Sequence, residues 1–282
     1  MSTPSSGPSR VERDGGIGSL FREGRLADAV QAAGAAVRAR PIDGTARYLL
    51  AELLLFTGDH ARADVMLDAS SSVDATLGVA VAEFRQLLRA ETARQQLFSD
   101  GRVPEVLGGV RAGQRAALAA LVELRAGNVA DAARLASEIE TVRPHATGRA
   151  AGQAFEDMRD ADDLLAGTFE VLTPTGKYLW IPIEDVISLD LHPPRRPRDL
   201  YWRRATMRVA DGPEGDIYLP AIYAALPSDP PLTEQQRLGR ATDWLETADG
   251  TLVRGVGART FLFGEASLTL MELTTLRMGA SA

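Results

Sequence analysis

The chain has 282 residues, enough for two modest domains with their own cores. It contains no cysteine, which excludes disulfides, thiolate nucleophiles and thiolate metal sites together and fits a reducing compartment. The net charge of −7 falls entirely on residues 151–282, with residues 1–150 summing to zero, and that balance argues against nucleic acid as a general partner. No apolar run approaches the ~20 residues of a membrane span. The densest, 48–56, is nine residues long and contains Glu52.

Residues 1–16, MSTPSSGPSRVERDGG, are polar with no apolar core. They read as a disordered tail, not a secretory signal. From 17 to about 150 the pattern is helical and rich in Ala and Leu. A repeat runs through it. Gly24-Arg-Leu-Ala-Asp-Ala29 recurs 34 residues later as Gly58-Asp-His-Ala-Arg-Ala63, and 69 after that as Gly127-Asn-Val-Ala-Asp-Ala132. Pro41 and Pro144 each follow their glycine by 17 residues. Glycine ends one helix in the left-handed conformation, a small alanine lets the next helix pack closely, and proline stops it. The period resembles the tetratricopeptide repeat. A middle unit near 98–111 is irregular, with Pro104 three residues after Gly101. Leu49, Leu50, Leu53, Leu54 and Phe56 form a wide apolar stripe, read either as core or as a groove for a partner helix.

Residues 151–167 are expected to form a linking helix, with the carboxylates of Glu156, Asp157, Asp160, Asp162 and Asp163 on a solvated face. They lack the spacing of a calcium loop. Residues 168–282 read as β-rich, with strands near 169–173, 178–182, 186–191, 201–208, 217–220, 252–255, 260–263 and 267–271. A short helix is expected at 233–238, with Thr233 and Gln236 as a capping box. The fold class is therefore α+β: all-α tetratricopeptide-like hairpins, then a mostly antiparallel barrel or sandwich.

Chemistry is sparse. His60 and His145 sit at helix ends, and only His192 lies among the strands. There is no nucleophile elbow, phosphate loop or His-x-x-x-His pair, so no metal or cofactor is expected. A hydrolytic or small-molecule-binding pocket near His192, Arg240 and Asp243 is the enzymatic alternative. Arg195, Arg196, Arg198, Arg203 and Arg204 form the one basic cluster, which Asp190 and Asp199 reduce to +3. It suits either an anionic ligand or internal ion pairs. Arg240-Ala-Thr-Asp-Trp244 reads as a buried corner or as a pocket wall.

Five segments carry a family resemblance: Trp180-Ile-Pro-Ile183, Arg198-Asp-Leu-Tyr-Trp-Arg203, Leu219-Pro-Ala-Ile-Tyr223, Leu238-Gly-Arg-Ala-Thr-Asp-Trp244 and Arg254-Gly-Val-Gly257. Their order resembles the ImpE/TagJ/SciE family of type VI secretion accessory proteins. The resemblance implies a non-enzymatic cytoplasmic adaptor that binds the N-terminal helix of the small (TssB-type) sheath subunit. It further implies an indirect influence on sheath recycling by a ClpV-type ATPase. The peptide-binding residues expected here are Tyr201, Trp202, Arg203, Arg240 and Trp244, because Trp, Tyr and Arg dominate interface hot spots.

Overall fold

The computed structural model describes residues 10–247 and 250–279. The chain divides into two units, Met1–Val81 and Ala82–Ala282. The boundary therefore falls well before the position near 150 expected from composition. Residues 1–9 of the expected tail lie outside the described residues, and residues 10–16 belong to the first helix.

Unit one is helical: α1 (Arg10–Arg22), α2 (Leu26–Ala39), α3 (Gly44–Thr57) and α4 (His60–Val73). The repeat glycines do what their spacing predicts. Gly24 and Gly58 take positive φ, at 82° and 76°, a conformation that glycine adopts without a Cβ penalty. Asp43 and Asp59 cap α3 and α4 by accepting from the N–H groups of Ala46 and Arg62. Ala29 and Ala63 are fully buried, so small side chains permit close helix packing. The apolar stripe is core: Leu50, Leu53, Leu54, Leu55 and Phe56 are buried, and Leu49 is half-buried.

Unit two starts in α5 (Gly78–Asp100), a 23-residue helix uninterrupted by Gly or Pro after its first residue. This explains the irregular middle repeat. The chain leaves α5 at Gly101, with φ 81°, and enters a two-residue strand, β1 (Glu105–Val106), rather than a second hairpin helix. The last repeat is regular: α6 (Ala112–Ala126) ends at Gly127, with φ 81°, and α7 (Val129–Val142) follows.

The strands are β2 (Gly148–Ala150), β3 (Gln153–Phe155), β4 (Met158–Asp160), β5 (Thr168–Leu172), β6 (Tyr178–Pro182), β7 (Val186–Leu191), β8 (Trp202–Val209) and β9 (Glu214–Pro220). After the one-turn helix α8 (Glu234–Arg237) come β10 (Thr242–Glu246), β11 (Val253–Gly257), β12 (Thr260–Phe263), β13 (Ala266–Thr269) and β14 (Thr275–Met278). The expected capping box of Thr233 and Gln236 forms. Nine strands run in the order β1-β6-β5-β9-β8-β7-β14-β2-β3, all antiparallel except the β1–β6 pair. The mostly antiparallel region expected from the sequence is present; of the two arrangements expected for it, barrel or sandwich, a closed barrel does not form among the described residues, because both ends of this sheet are open. A three-stranded sheet, β13-β12-β4, and the β10–β11 hairpin complete the unit.

Strand alternation sends Phe169, Val171, Leu179 and Ile181 to one face of the large sheet, into a core shared with Phe261, Phe263 and Met158 of the three-stranded sheet. Glu170, Tyr178 and Trp180 point to the other face, where α5 lies.

The expected linking helix at 151–167 is absent. The segment forms β3, β4 and a 3-10 turn at Asp163–Leu165. Its aspartates compete with helix formation by bonding their own backbone. Asp160 accepts from Asp162 N–H and Asp162 from Leu164 N–H, both at 2.9 Å. Asp160 and Asp162 are consequently buried, not solvated.

Two glycine substitutions should act with opposite sign. Gly78 has helical φ and open space around a new Cβ, so Gly78→Ala should raise stability by about 0.5–1 kcal/mol. Gly127 has equal space but positive φ, so Gly127→Ala should cost about 1–2 kcal/mol. Paired denaturant titrations measure both.

Candidate functional site

Two of the family-like segments, Arg198–Arg203 and Leu219–Tyr223, meet α5 directly. Arg94, on its buried face, donates from Nε and Nη2 to the two carboxylate oxygens of Glu170 on β5, at 2.9 and 3.0 Å. The same guanidinium reaches Glu91 at 3.2 Å and the carbonyl of Ile222 at 2.9 Å. Arg259, just ahead of β12, bridges Glu170 at 2.9 Å and Asp160 at 2.7 Å. Tyr178 donates its hydroxyl to Glu170, and Trp180 donates its indole N–H to Tyr178. Burial alone would raise the Glu170 pKa, but Arg94 and Arg259 outweigh it and hold the carboxyl below its ordinary value. The charged and aromatic side chains of this network are at most 3% exposed.

The Arg198–Arg203 segment grips α5 from the sheet side. Trp202 is 0% exposed, donates its indole N–H to Glu91 at 3.0 Å, and meets Phe84 edge-on at 5.8 Å. Arg198 lies over the Phe84 ring at 5.2 Å and pairs with Glu83 at 2.9 Å. Tyr218 donates to the same Glu83. Of the five residues expected to bind a peptide, Trp202 is therefore a core residue with no surface to offer. Its aromatic-arginine context is what core and interface have in common, and sequence does not separate them. Arg203 is buried, Tyr201 and Trp244 are half-buried, and Arg240 is exposed. Tyr201 packs on Trp202, and Trp244 lies 6.4 Å from Tyr223.

The Arg254–Gly257 segment is fixed by the unexpected aspartates. Asp162 accepts from Gly255 N–H at 3.0 Å, and Asp163 from Val253 N–H at 2.6 Å. Arg254 forms a two-pronged pair with Asp229 at 2.8 and 2.9 Å. A Cβ on Gly255 would stand 2.2 Å from the Tyr223 ring, whose hydroxyl bonds Asp160 at 2.7 Å. Burial pushes the Asp162 carboxyl up to about 7, with Arg254 opposing in part.

Beside the hairpin is a cleft of about 570 Å³, walled by Leu124 and Val129 at the α6–α7 turn, Leu226, Leu245, Leu252 and the Arg254–Asp229 pair. His192 is elsewhere. It follows β7, its Nε2 lying 3.0 Å from Thr206 and 3.8 Å from Asp216. Asp243 sits on β10 in a separate sheet, so the enzymatic triad suggested by the sequence is not assembled by shared strands.

Sequence reasoning missed Glu91, Arg94, Glu170 and Arg259. The available signal was a charge inside an apolar strand, Phe169-Glu-Val171, but period-two alternation reads such a residue as facing solvent.

A helical-repeat unit followed by a unit of helices and antiparallel strands clasped onto one helix defines the class; no helix among the described residues is long and apolar enough to cross a bilayer. The tetratricopeptide repeat family matches residues 20–89, and the ImpE protein family matches residues 152–277. The type VI secretion system accessory component TagJ of Pseudomonas aeruginosa is 32% identical over 258 residues, covering 91% of this chain and 89% of that protein. The crystal structure of protein VPA1032 from Vibrio parahaemolyticus superposes with a TM-score of 0.86 at 26% identity, covering 94% of this chain and 98% of that one. The chain belongs to the ImpE family.

Two measurements probe this site. Glu170→Gln should cost about 3–5 kcal/mol in urea unfolding, because it leaves two buried guanidinium groups short of charge. Trp202→Ala should cost a similar amount through a core cavity. Asp162 adds a pH signature. Its folded pKa, about 7, is above the ordinary 3.8, so its stability contribution is full below about 4 and is lost as pH rises to 7. Asp162→Asn should therefore gain melting temperature over wild type progressively between pH 5 and 7.5, as scanning calorimetry at several pH values reads directly.

Proposed function

We propose that this chain is a cytoplasmic, non-enzymatic accessory adaptor of type VI secretion. It binds the N-terminal helix of the small, TssB-type contractile-sheath subunit, and through that contact it modulates sheath recycling by the ClpV-type unfoldase. It uses no cofactor and no metal. The observation that carries this reading is the 32% identity to a type VI secretion accessory component, spread over 91% of the chain. The repeat match at 20–89 supports it, since stacked helical hairpins commonly serve protein recognition. The enzymatic alternative around His192, Arg240 and Asp243 gains no support from their placement: His192 lies on the loop after β7 beside Thr206 and Asp216, whereas Asp243 lies on β10 of the separate two-stranded sheet.

The surface proposed for the peptide is the accessible remainder of the aromatic-arginine cluster: Tyr201, the terminal nitrogens of Arg203, Arg240 and Trp244. Trp202 contributes only by holding this surface to α5. A bound amphipathic helix anchors through residues at i, i+3/i+4 and i+7. The cleft beside Val129 and Leu245 is the competing location, because it has apolar walls and room for side chains.

Calorimetric titration of the small sheath subunit's N-terminal peptide tests this reading. Wild type should bind, and folded Trp244→Ala should bind about 30-fold more weakly, equivalent to ~2 kcal/mol. Weakening by Leu245→Asp with Trp244→Ala unaffected moves the site to the cleft. An absence of heat with wild type at ~100 μM peptide overturns the partner assignment.

A further inference from the structure

The five-arginine cluster separates in the structure. Arg204 pairs with Asp216 at 2.6 Å and Arg198 with Glu83 at 2.9 Å. Arg203 differs. It is only 5% exposed, yet among the described residues no carboxylate lies within ion-pair distance of its guanidinium, and its Nε is buried without a hydrogen-bond partner. Burial lowers its pKa from the ordinary arginine value, with Asp199 offsetting part of the loss from beyond pairing distance. Asp199 is already shared: its Oδ2 accepts from the backbone N–H groups of Arg195 at 2.8 Å and Arg196 at 3.2 Å, and its Oδ1 lies 3.9 Å from Arg198 Nε. Arg198 also has two buried nitrogens, Nε and Nη1, with no hydrogen-bond partner. Arg195 and Arg196 are exposed on the loop just before.

A buried cation without a counter-ion is costly, and proteins of marginal stability rarely retain one without use. The rest of this unit matches its buried arginines with carboxylates carefully, as Arg94, Arg254 and Arg259 demonstrate. The planar guanidinium fork donates two parallel hydrogen bonds to a carboxylate. We propose that Arg203 anchors a recognition site for the side-chain carboxylate of an acidic peptide segment, with Arg195 and Arg196 flanking it. The choice of a peptide as the source of that carboxylate rests on the adaptor reading; the missing counter-ion does not. The incoming acid supplies the charge that Asp199 is too distant to supply.

The test follows the Arg203 Nε–H resonance in nitrogen-15-labelled full-length protein during titration with acetylated tetraglutamate amide, with the tetraglutamine analogue, and with inorganic phosphate. Tetraglutamate should move the resonance saturably, tetraglutamine should not, and Arg203→Gln should weaken tetraglutamate binding at least about tenfold. Arg204→Gln, which removes an arginine already paired, should leave the affinity unchanged. No movement with tetraglutamate up to about 10 mM, or equal movement with tetraglutamine, overturns the proposal. Movement with phosphate but not tetraglutamate overturns the carboxylate assignment. The wild-type titration decides even if Arg203→Gln fails to fold. Tetraglutamate binding without sheath-peptide binding would remove the partner and keep the site, whereas the reverse would remove the site and keep the partner.

Discussion

One carboxylate joins three layers of unit two. Glu170 lies on β5 of the large sheet, receives Arg94 from α5, and receives Arg259 from the start of the three-stranded sheet. Neither guanidinium nor carboxylate has access to water, so each depends on the others for solvation. Such a network is stabilising only while every member is present, and it tolerates few alternative arrangements. It therefore specifies how the helix, the large sheet and the small sheet meet more sharply than apolar packing on the opposite face does. The shared apolar core of Phe169, Phe261 and their neighbours supplies the larger area, but apolar surfaces can slide.

This arrangement gives the family-like segments a common physical meaning. Trp202 binds Glu91, Arg198 binds Glu83, Tyr223 binds Asp160, and Gly255 makes room for the Tyr223 ring. Three segments distant in sequence thus assemble around α5 and the aspartates that hold β11. Most of the charge and aromatic character that makes them conspicuous is directed inward. What remains for a partner is the periphery: half-buried Tyr201 and Trp244, exposed Arg240, and the guanidinium of Arg203, which has no carboxylate partner among the described residues.

The division of the chain follows from the same clasp. Because α5 is bound into the sheet unit by Glu83, Glu91 and Arg94, the helical stretch from 82 onward belongs with the strands and not with the repeats before it. β1 reinforces this by joining the edge of the sheet beside β6 directly after α5. Helical periodicity continues across the boundary, since it reports the local backbone and not which neighbours a helix buries itself against.

The sequence by itself determined the local rules: the repeat glycines at 24, 58 and 127, the capping box at Thr233, the central strands β5 to β8, and the family to which the chain belongs. Each depends on residues within one turn, one strand or one motif. The tertiary structure alone decided the rest. It turned the acidic segment at 151–167 from an expected helix into strands, because its aspartates found backbone donors on β11 and a guanidinium at Arg259. It buried Trp202 and left Arg203 without a carboxylate partner among the described residues, although the two are adjacent in the chain and equally suited to an interface. Alternation along β8 sends them to opposite faces, and only the partners waiting there, Glu91 for one and no carboxylate for the other, distinguish a structural residue from a candidate binding residue.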